Sequence, residues 1–452
     1  MSLPAADLSK QPDNRTTMEL GAVLPLTAEV KDDHLYVGGV DMVELAREQG
    51  TALYVMDEAD MRTRMETYLA AFRSRYQNSD VVYASKAFLN KEAARIVADE
   101  GLCLDVSGGG ELAIALAAGF PTERIFMHGN NKTPTRAARS HPGGRGRIII
   151  DSRIELKRIS EIAGELGVVQ PIYMRITPGV EADTHQYIRT GCEDSKFGFT
   201  MRDDFAYGCV KDVLAAPNVR LAGLHCHIGS QIFALHSYPE AVEVMVELMA
   251  RIEEGYGYRI EELDVGGGLE GIASHGRRQA GFHRRVRRNG HVGGARGVRE
   301  VRRARAAPAH RAGPQPGGHG GRDAVHGGHS ENAAGHPQVR GGGRRHVRQH
   351  PHGAVPRRLR AVIANKAGQP RTEIVTIAGK HCESGDAVVI DMPMQHPDLG
   401  DIVAVFGTGA YCYTMASNYN GQPRPAIVFV KDGQARVTTR RETYEDLMSR
   451  DI

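Results

Sequence analysis

The sequence has no tryptophan and only 6 cysteines in 452 residues. The cysteines are spread singly, which argues against a disulfide framework or a Cys-x-x-Cys metal site, so a special cysteine is better explained as catalytic than as structural. No run of about 18 apolar residues is present, as a transmembrane helix would need. The N-terminus lacks the basic and then apolar order of a signal peptide. We therefore predict a cytoplasmic protein without a membrane partner.

One long segment differs in composition from the rest of the chain. Residues 271–358 contain about nineteen arginines and more than half of the histidines, but no lysine, leucine or tyrosine. Their acids are Glu300, Asp323 and Glu331, and their one aromatic residue is Phe282. The net charge of +3 therefore hides a basic centre in an otherwise acidic chain. This break is the strongest organisational feature of the sequence.

Short apolar runs alternate with amphipathic helical runs between residues 51 and 268. The predicted strands are TALYVMD (51–57), VVYASKA (81–87), LCLDVS (102–107), RIFMHG (124–129), RIIID (147–151), PIYMRITP (171–178), RLAGLHCHIG (220–229) and IEELDVGGG (260–268). Strands that alternate with helices in this way indicate parallel βαβ units. About eight units favour a (β/α)8 barrel, and the absence of GxGxxG after the first strand argues against a Rossmann fold.

The pattern changes after Ala361 into short strands separated by turn residues, which predicts an all-β second domain. The fold class is therefore α/β, with a C-terminal barrel-like β domain. We expect a disordered leader at 1–24, a (β/α)8 barrel at 51–310 that is disrupted from about 271, and a β domain at 311–452 that is disrupted up to about 358.

Lys86 lies at the carboxyl end of the strand VVYASKA. The carboxyl ends of the strands form the active face of a (β/α)8 barrel, so this lysine is expected to point toward a ligand. A ligand-facing lysine has a lowered pKa and can form a Schiff base with an aldehyde. The alternative is a lysine that caps the strand into solvent.

The segment GLHCHIGSQI (223–232) ends a strand in His-x-His, which invites a metal, but no third ligand lies at a useful spacing. A better interpretation makes His227 a flat ring that stacks on an aromatic cofactor. Ser230 then belongs to a turn that contacts phosphate. A satisfied core histidine in a βα turn is the alternative.

Gly266, Gly267 and Gly268 end the strand LDV. Glycines let the backbone approach a ligand closely and present N–H groups to an anion. Phosphate sites of barrels lie in the late βα loops, where this triplet falls. Glycine triplets also occur in ordinary turns.

Two segments of the β domain carry further candidates, GKHCESGD (379–386) and GTGAYCYTMASNYN (407–420). Cys382, beside Glu383, is a candidate proton donor, although a cysteine between strands is often merely buried. Tyr411 is a candidate contact of phosphate or substrate.

The candidate residues occur in the order Lys86, His227 to Ser230, Gly266 to Gly268, Cys382 with Glu383, and Tyr411. This order resembles that of the fold-type III pyridoxal-phosphate (PLP) decarboxylases. The wording of the motifs resembles the diaminopimelate decarboxylase family: YASKA (83–87), HGNNK (128–132), TPGVEADTHQYIRTGCEDSKFG (177–198), HCHIGSQI, DVGGGL, GKHCESGD and GAYCYTMASNYN. The resemblance covers about 24–133, 148–270 and 361–450. It implies PLP as the cofactor and an (α/β)8 barrel followed by a β domain, to which the N-terminal segment 25–50 contributes.

For the cofactor, the resemblance implies that Lys86 is covalently attached to PLP and that His227 stacks on the pyridoxal ring. It also implies that Ser230, the glycines at 266–268 and Tyr411 bind the phosphate end or lie beside it. The protonated pyridine ring supplies the electron sink of the family's chemistry.

For the substrate, the resemblance implies that Cys382 reprotonates the carbon after CO2 has left. Glu383 matches the carboxylate that recognises the amino group at the far, D-configured centre of meso-diaminopimelate, and the product is L-lysine. The family completes its sites across a dimer interface, with the cysteine and glutamate coming from the partner subunit. We therefore expect a homodimer with shared active sites.

The family also has an EPGR segment and a DGG-x-SDN-x-R-x-ALY segment after the glycine loop, and both are absent here. They supply the glutamate that pairs with the pyridine nitrogen and the side chains that hold substrate carboxylates. A shifted reading frame accounts for their absence. Arg311–Pro316 can be encoded as CGA GCC GGG CCG CAG CCC, and removal of the first base gives EPGRS. The same offset turns Gly343–Val355 into DGVTSDNIRTALY.

We therefore hypothesise compensating insertions and deletions near 270–275 and 356–361. A chain with the shifted segment is expected to lack the final barrel strands and decarboxylase activity. A competing hypothesis makes 271–358 a basic insert that binds RNA or DNA, although Phe282 alone could stack on a base. Other fold-type III decarboxylases, acting on ornithine, arginine or carboxynorspermidine, are the alternative enzymes.

Overall fold

The structure is a computed structural model of the chain. It describes residues 16–132, 146–180, 197–228, 237–267, 359–383 and 385–452, together with the backbone of 307–312. The described residues fall into two compact units. The first unit contains residues 64–267 and 307–312, and the second contains residues 16–63 and 359–452.

Helices and strands alternate through most of the first unit, whereas the second unit is mainly strands. The helices are α1 (Met42–Gln49), α2 (Glu58–Arg73), α3 (Lys91–Asp99), α4 (Gly109–Ala117), α5 (Arg153–Glu165), α6 (Phe205–Ala215), α7 (Ser237–Tyr256) and α8 (Tyr444–Met448). The strands are β1 (Glu29–Lys31), β2 (His34–Val37), β3 (Val40–Asp41), β4 (Leu53–Asp57), β5 (Asp80–Ala84), β6 (Cys103–Val106), β7 (Ile125–Met127), β8 (Arg147–Ile150), β9 (Gln170–Thr177), β10 (Phe199–Thr200), β11 (Val219–Cys226), β12 (Glu262–Asp264), β13 (Ala307–Ala312), β14 (Arg360–Ile363), β15 (Glu373–Ala378), β16 (Ala387–Met394), β17 (Val403–Phe406), β18 (Ala426–Lys431) and β19 (Gln434–Thr439). None of these helices is long and apolar enough to cross a membrane.

Parallel strands of the first unit form a closed ring in the order β5, β6, β7, β8, β9, β11, β12 and β13, and β13 pairs again with β5. The predicted (β/α)8 barrel is therefore confirmed. Large and small apolar side chains fill its interior, as expected for a ring of eight strands. One buried layer consists of Val82, Cys103, Phe126, Ile149, Tyr173 and Ala222.

The first predicted barrel strand, 51–57, does not belong to this ring. β4 pairs in parallel with β18 in the second unit. It is only partly buried, whereas β6 and β7 are buried along their whole length, as strands of a parallel barrel must be. The eighth strand of the ring is instead β13, from within the atypical segment 271–358. The expectation that this segment leaves the barrel without its final strand is thus wrong for the backbone, because β13 pairs in parallel with both β12 and β5.

The second unit contains small sheets, in the strand orders β1–β2–β3, β14–β17, β15–β16 and β19–β18–β4. Side chains of the N-terminal segment pack directly against the C-terminal strands. Their shared core contains Leu24, Leu35, Val37, Val43 and Leu45 together with Val362, Phe406, Val428 and Val430. Burial of this apolar surface is the main force that holds the two chain segments in one unit.

The structure differs from the predicted disordered leader at its C-terminal end. Thr17–Val23 forms a short 3-10 segment. Thr17 is fully buried, its N–H donates to the carbonyl of Ala367 at 3.3 Å, and its hydroxyl accepts from Gln395 Nε2 at 3.2 Å. Local sequence does not indicate contacts with residues more than 300 positions away. Residues 1–15 lie outside the described residues.

Side-chain caps mark where helices follow the barrel strands. Asn90 Oδ1 accepts the N–H of Ala93 at 2.8 Å at the start of α3. Ser152 Oγ accepts the N–H of Glu155 at 3.3 Å at the start of α5. Because the strands are parallel, all of these turns lie at one rim of the ring, formed by the carboxyl ends of the strands. We call it the carboxyl rim.

Candidate functional site

Lys86 lies two residues after β5, at the carboxyl rim. Within residues 81–90 its side chain is exposed, and the other nine side chains are buried. The loop backbone is fixed, since the N–H of Ser85 donates to the carbonyl of Asp105 at 3.2 Å and the hydroxyl of Tyr83 donates to the carbonyl of Phe88 at 2.9 Å. The loop therefore holds a single amine in an accessible position at the rim.

His227 lies at the same rim, immediately after β11, and is 7% exposed. Burial holds the pKa of His227 well below its ordinary value, and the positive charges of Lys86 and Arg175 lower it further. The N–H of Gly267 approaches Nδ1 at 3.5 Å, so the neutral ring is assigned its proton on Nε2. This flat, uncharged ring within reach of the Lys86 charge suits stacking on an aromatic group.

The turn after β12 requires glycine at position 266. Gly266 has φ +71°, and a Cβ there would stand 2.5 Å from the carbonyl oxygen of Cys226 and 3.0 Å from Nδ1 of His227. The turn therefore lies directly against the end of β11. Of the other predicted phosphate contacts, Ser230 and Gly268 lie outside the described residues.

Sequence reasoning assigned no role to a set of polar side chains that the structure buries at the carboxyl rim. They are Asp105, His128, Asp151, Arg175, His225 and Asp264. Each lies at the end of an apolar strand run or directly after it, and a charged or polar residue at that position of a barrel strand is the signal that could have identified them.

The two histidines of this set are in contact. His225 Nδ1 lies 2.8 Å from Asp264 Oδ2, and both side chains are fully buried. The rings of His128 and His225 pack edge to face, with centroids 4.8 Å apart. His128 Nε2 is 3.6 Å from Asp105 Oδ1. Since His225 pairs with a carboxylate and His227 faces Gly267, the geometry gives no support to a metal held by His-x-His.

Arg175 forms the other charged element of the rim. Its Nη1 lies 3.8 Å from Asp151 Oδ2, and its guanidinium lies 4.2 Å from the centroid of the Phe197 ring. Burial raises the pKa of Asp151 even though Arg175 acts in the opposite direction. The rim therefore contains a buried arginine–aspartate pair beside the two histidines.

Several buried atoms of the rim have no hydrogen-bond partner within the described residues: both ring nitrogens of His128, Nε2 of His225 and both carboxylate oxygens of Asp151. More than about 90% of buried polar groups in native proteins have a partner, so these atoms call for a bound polar group or ordered water. Together with the amine of Lys86 and the glycine turn, they fit a small aromatic aldehyde with polar ring substituents and a phosphate. Pyridoxal phosphate has this chemistry.

Cys382 and Glu383 lie in the turn between β15 and β16 of the second unit, and both are exposed. The carboxylate of Asp386 accepts the N–H of His381 at 2.7 Å, and Asn420 Oδ1 accepts the N–H of Cys382 at 2.9 Å. The structure thus brings the segment GKHCESGD against the end of GAYCYTMASNYN.

Tyr411 follows β17 and has φ +65°. Its carbonyl accepts the N–H of Met415 at 3.1 Å, which folds the chain back on itself after the strand. The candidate residues therefore divide between the units: Lys86, His227 and the glycine turn belong to the first, and Cys382, Glu383 and Tyr411 to the second.

Comparisons with known proteins agree with this chemistry. Residues 59–288 match the pyridoxal binding domain of the pyridoxal-dependent decarboxylases. The chain is 38% identical over 433 residues to diaminopimelate decarboxylase of Bacillus subtilis, covering 93% of this chain and 95% of the relative. The chain belongs to the diaminopimelate decarboxylase family. A second family member, from Mycobacterium bovis, is 38% identical over 460 residues, and the match covers 98% of this chain and 97% of that relative.

Solved structures of the family have the same fold. Diaminopimelate decarboxylase from M. jannaschii, in co-complex with L-lysine, is similar with a TM-score of 0.77 and 27% identity, covering 95% of this chain and 98% of that one. The enzyme from Helicobacter pylori is similar to this chain in fold, with a TM-score of 0.69 and 23% sequence identity. Family membership confirms the predicted fold class, the PLP cofactor and the assignment to the PLP-dependent carboxy-lyases.

Proposed function

We propose that the site is built for PLP-dependent decarboxylation of meso-diaminopimelate to L-lysine and CO2, the last step of lysine biosynthesis. The observation that carries this proposal is the 38% identity to diaminopimelate decarboxylases over 93% to 98% of the chain. Bacterial biosynthetic relatives also support the predicted cytoplasmic location, which cell fractionation would test.

The residues of the first unit hold the cofactor in this proposal. Lys86 would hold PLP through its amine, which the fixed loop presents at the carboxyl rim. His227 would face the pyridine ring with its neutral imidazole, and the N–H groups of the turn at 266–268, with Ser230, would bind the phosphate. When bound, PLP takes up the electron pair that the departing carboxylate leaves behind.

The residues of the second unit act on the substrate. Cys382 donates its thiol proton to the carbon that has lost CO2, and the Glu383 carboxylate binds the amino group at the far end of the substrate. By the family resemblance, Tyr411 would contact the phosphate end of the cofactor. The exposure of Cys382 and Glu383 supports their contribution to the site of a partner subunit in a homodimer. Mixing inactive Lys86→Ala and Cys382→Ala variants of a chain in which the family's reading frame is restored tests this, since shared sites recover activity in the mixture and separate sites do not.

The segment 271–358 bears on whether this chain completes the site. The Mycobacterium bovis relative is matched over 97% of its own length and over 98% of this chain, so the two proteins are similar in length. A basic insert of this size would make the chain much longer than its relatives. The comparison therefore favours a segment that replaces the family's sequence, as a frame shift does, over an added nucleic-acid-binding module.

We accordingly propose that the present chain lacks the EPGR glutamate and the SDN segment and that the restored frame supplies them. The first experiment is to sequence the gene and its transcript across codons 265–365. The second is to measure CO2 release from meso-diaminopimelate by the present chain and by the frame-restored chain. We expect activity only from the restored chain, and family-like activity of the present chain would overturn the frame proposal.

The substrate is tested on the frame-restored chain with a panel of meso-diaminopimelate, ornithine, arginine and carboxynorspermidine. Preference for meso-diaminopimelate, lost on Glu383→Gln, would support the proposal. Preference for one of the other amino acids would assign the chain to another fold-type III decarboxylase activity.

A further inference from the structure

Asp264 connects two parts of the carboxyl rim. Its side chain, at the end of β12, is fully buried. One carboxylate oxygen, Oδ2, lies 2.8 Å from His225 Nδ1, and the other, Oδ1, accepts the N–H of Gly266 at 2.8 Å. A single buried carboxylate thus binds both the end of β11 and the turn that follows β12.

The glycine turn that Asp264 holds also contacts His227. Gly267 approaches Nδ1 of His227 through its N–H at 3.5 Å, and the Cα of Gly266 leaves no space for a Cβ beside the same nitrogen. A displacement of the turn therefore displaces the ring. Asp264 does not contact His227 itself but fixes the two backbone segments that define where its ring lies.

A carboxylate suits this position because it offers two acceptors and no donor. With Asp264 present, His225 is assigned its proton on Nδ1, and its buried Nε2 is left as an acceptor. Alanine at 264 leaves two buried N–H donors without an acceptor. Asparagine keeps an oxygen for Gly266 but presents an N–H group to His225, which forces the opposite tautomer.

We propose that Asp264 is a positioning residue for the cofactor: through Gly266 and His225 it sets the orientation of the His227 ring against the pyridoxal ring. The inference rests on the proposed function, because it takes His227 as the residue that faces the cofactor. It adds a residue that touches neither cofactor nor substrate but on which the geometry of the cofactor site depends.

Glu262 provides a matched control. It lies on the same strand, two residues before Asp264. Its carboxylate is partly buried and accepts hydrogen bonds from Arg147 at 2.8 Å and from the Tyr173 hydroxyl. Its partners lie away from the carboxyl rim. Glu262→Gln therefore tests the general loss of a carboxylate on β12 without altering the glycine turn.

The experiment titrates the full-length chain with PLP and records binding by absorption and fluorescence of the pyridoxal group. We expect Asp264→Ala to weaken PLP binding by about tenfold or more and to shift the absorption band of bound PLP, as expected for the loss of hydrogen bonds to a charged group. Asp264→Asn should bind with intermediate affinity, because it restores the acceptor for Gly266. Glu262→Gln should bind within about twofold of the unaltered chain and keep its band.

Hydrogen exchange of the cofactor-free chain supplies an independent measurement. We expect Asp264→Ala to accelerate exchange in peptides that cover 262–267 and 225–228, and Asp264→Asn to restore slow exchange at Gly266. If Asp264→Ala exchanges and binds PLP like Glu262→Gln, the inference is wrong. If the unaltered chain does not bind PLP, the proposed cofactor site of this chain fails, and unchanged exchange at 225–228 in Asp264→Ala then decides against the positioning role as well.

Discussion

The imidazole of His128 meets that of His225 edge to face, with ring centroids 4.8 Å apart and ring planes at 76°. Both side chains are almost fully inaccessible to water. Burial holds the pKa of His128 well below its ordinary value, and His225 and Arg175 lower it further. Two imidazoles packed in this way tolerate no added positive charge, so the folded chain keeps His128 neutral.

This arrangement predicts that the folded chain loses stability in acid. Below the ordinary histidine pKa of about 6.5, the unfolded chain binds a proton at His128 and the folded chain does not, so the free energy of unfolding falls as the pH is lowered. His128→Asn should reduce that slope by up to about 1.4 kcal/mol per pH unit. Urea unfolding between pH 5 and 8 measures it. His396→Asn is the exposed control, and an equal slope in both variants would contradict the prediction.

The buried pair of Lys132 and Glu155 makes a second prediction. The Lys132 ammonium donates to the carbonyl of Gly129 at 2.6 Å and lies 3.2 Å from the Glu155 carboxylate, with both side chains nearly inaccessible. Lys132→Met leaves a buried carboxylate without its cation and should lower the free energy of unfolding by about 3 kcal/mol.

The exposed pair of Lys157 and Glu161, 3.9 Å apart, supplies the comparison. Lys157→Met should change stability by less than about 0.5 kcal/mol, because surface pairs are screened by water. Equal effects of Lys132→Met and Lys157→Met in chemical denaturation would argue against a structural role of the buried pair.

Gly266→Ala should destabilise the barrel by about 2 kcal/mol, since a Cβ would meet the Cys226 carbonyl at 2.5 Å and the φ of +71° is strained for alanine. Gly110 is the matched control. It lies exposed in α4, and a Cβ added there would meet no atom within 4 Å, so Gly110→Ala should stabilise the chain by about 0.5 to 1 kcal/mol. Thermal unfolding of both variants checks the opposite signs.

Cys382 should be the first of the described cysteines to react with a thiol reagent in the folded chain. It is exposed, whereas Cys103 and Cys226 are buried, and burial raises the pKa of Cys103 to about 12. Peptide mapping after brief alkylation identifies the site, and Cys382→Ser should abolish the fast phase. Early modification of Cys103 or Cys226 would show that the barrel opens.

The sequence predicted the barrel because its strands are short apolar runs between amphipathic helices. It could not show that 51–57 leaves the ring, since LYVMD is as apolar as a barrel strand and its partner β18 lies more than 360 residues away. Nor could it place β13, whose composition carries no strand signal. Long-range pairing of this kind is decided by backbone hydrogen bonds and burial, which local pattern does not record.

At the site, the sequence predicted roles for Lys86, His227 and the glycines from their positions after strands, and these roles stay predictions. It missed Asp264 and His225, although both stand within the family's motifs, because their role depends on contacts across neighbouring strands. Position 266 likewise requires glycine because the carbonyl oxygen of Cys226, forty residues earlier in the chain, leaves no space for a Cβ. Roles that depend on contacts between neighbouring strands can be assigned only from the three-dimensional structure.

Because β13 closes the ring, the fold of the barrel and the activity of the protein depend on different properties of the same segment. The backbone of Ala307–Ala312 pairs with β12 and β5 although segment 271–358 differs in composition from the rest of the chain. We therefore expect a lesion in this stretch of the gene to leave circular dichroism and hydrodynamic radius almost unaltered. Only an assay that depends on particular side chains of this segment would detect the change. A comparison of protein folds alone would classify a gene with such a lesion as intact.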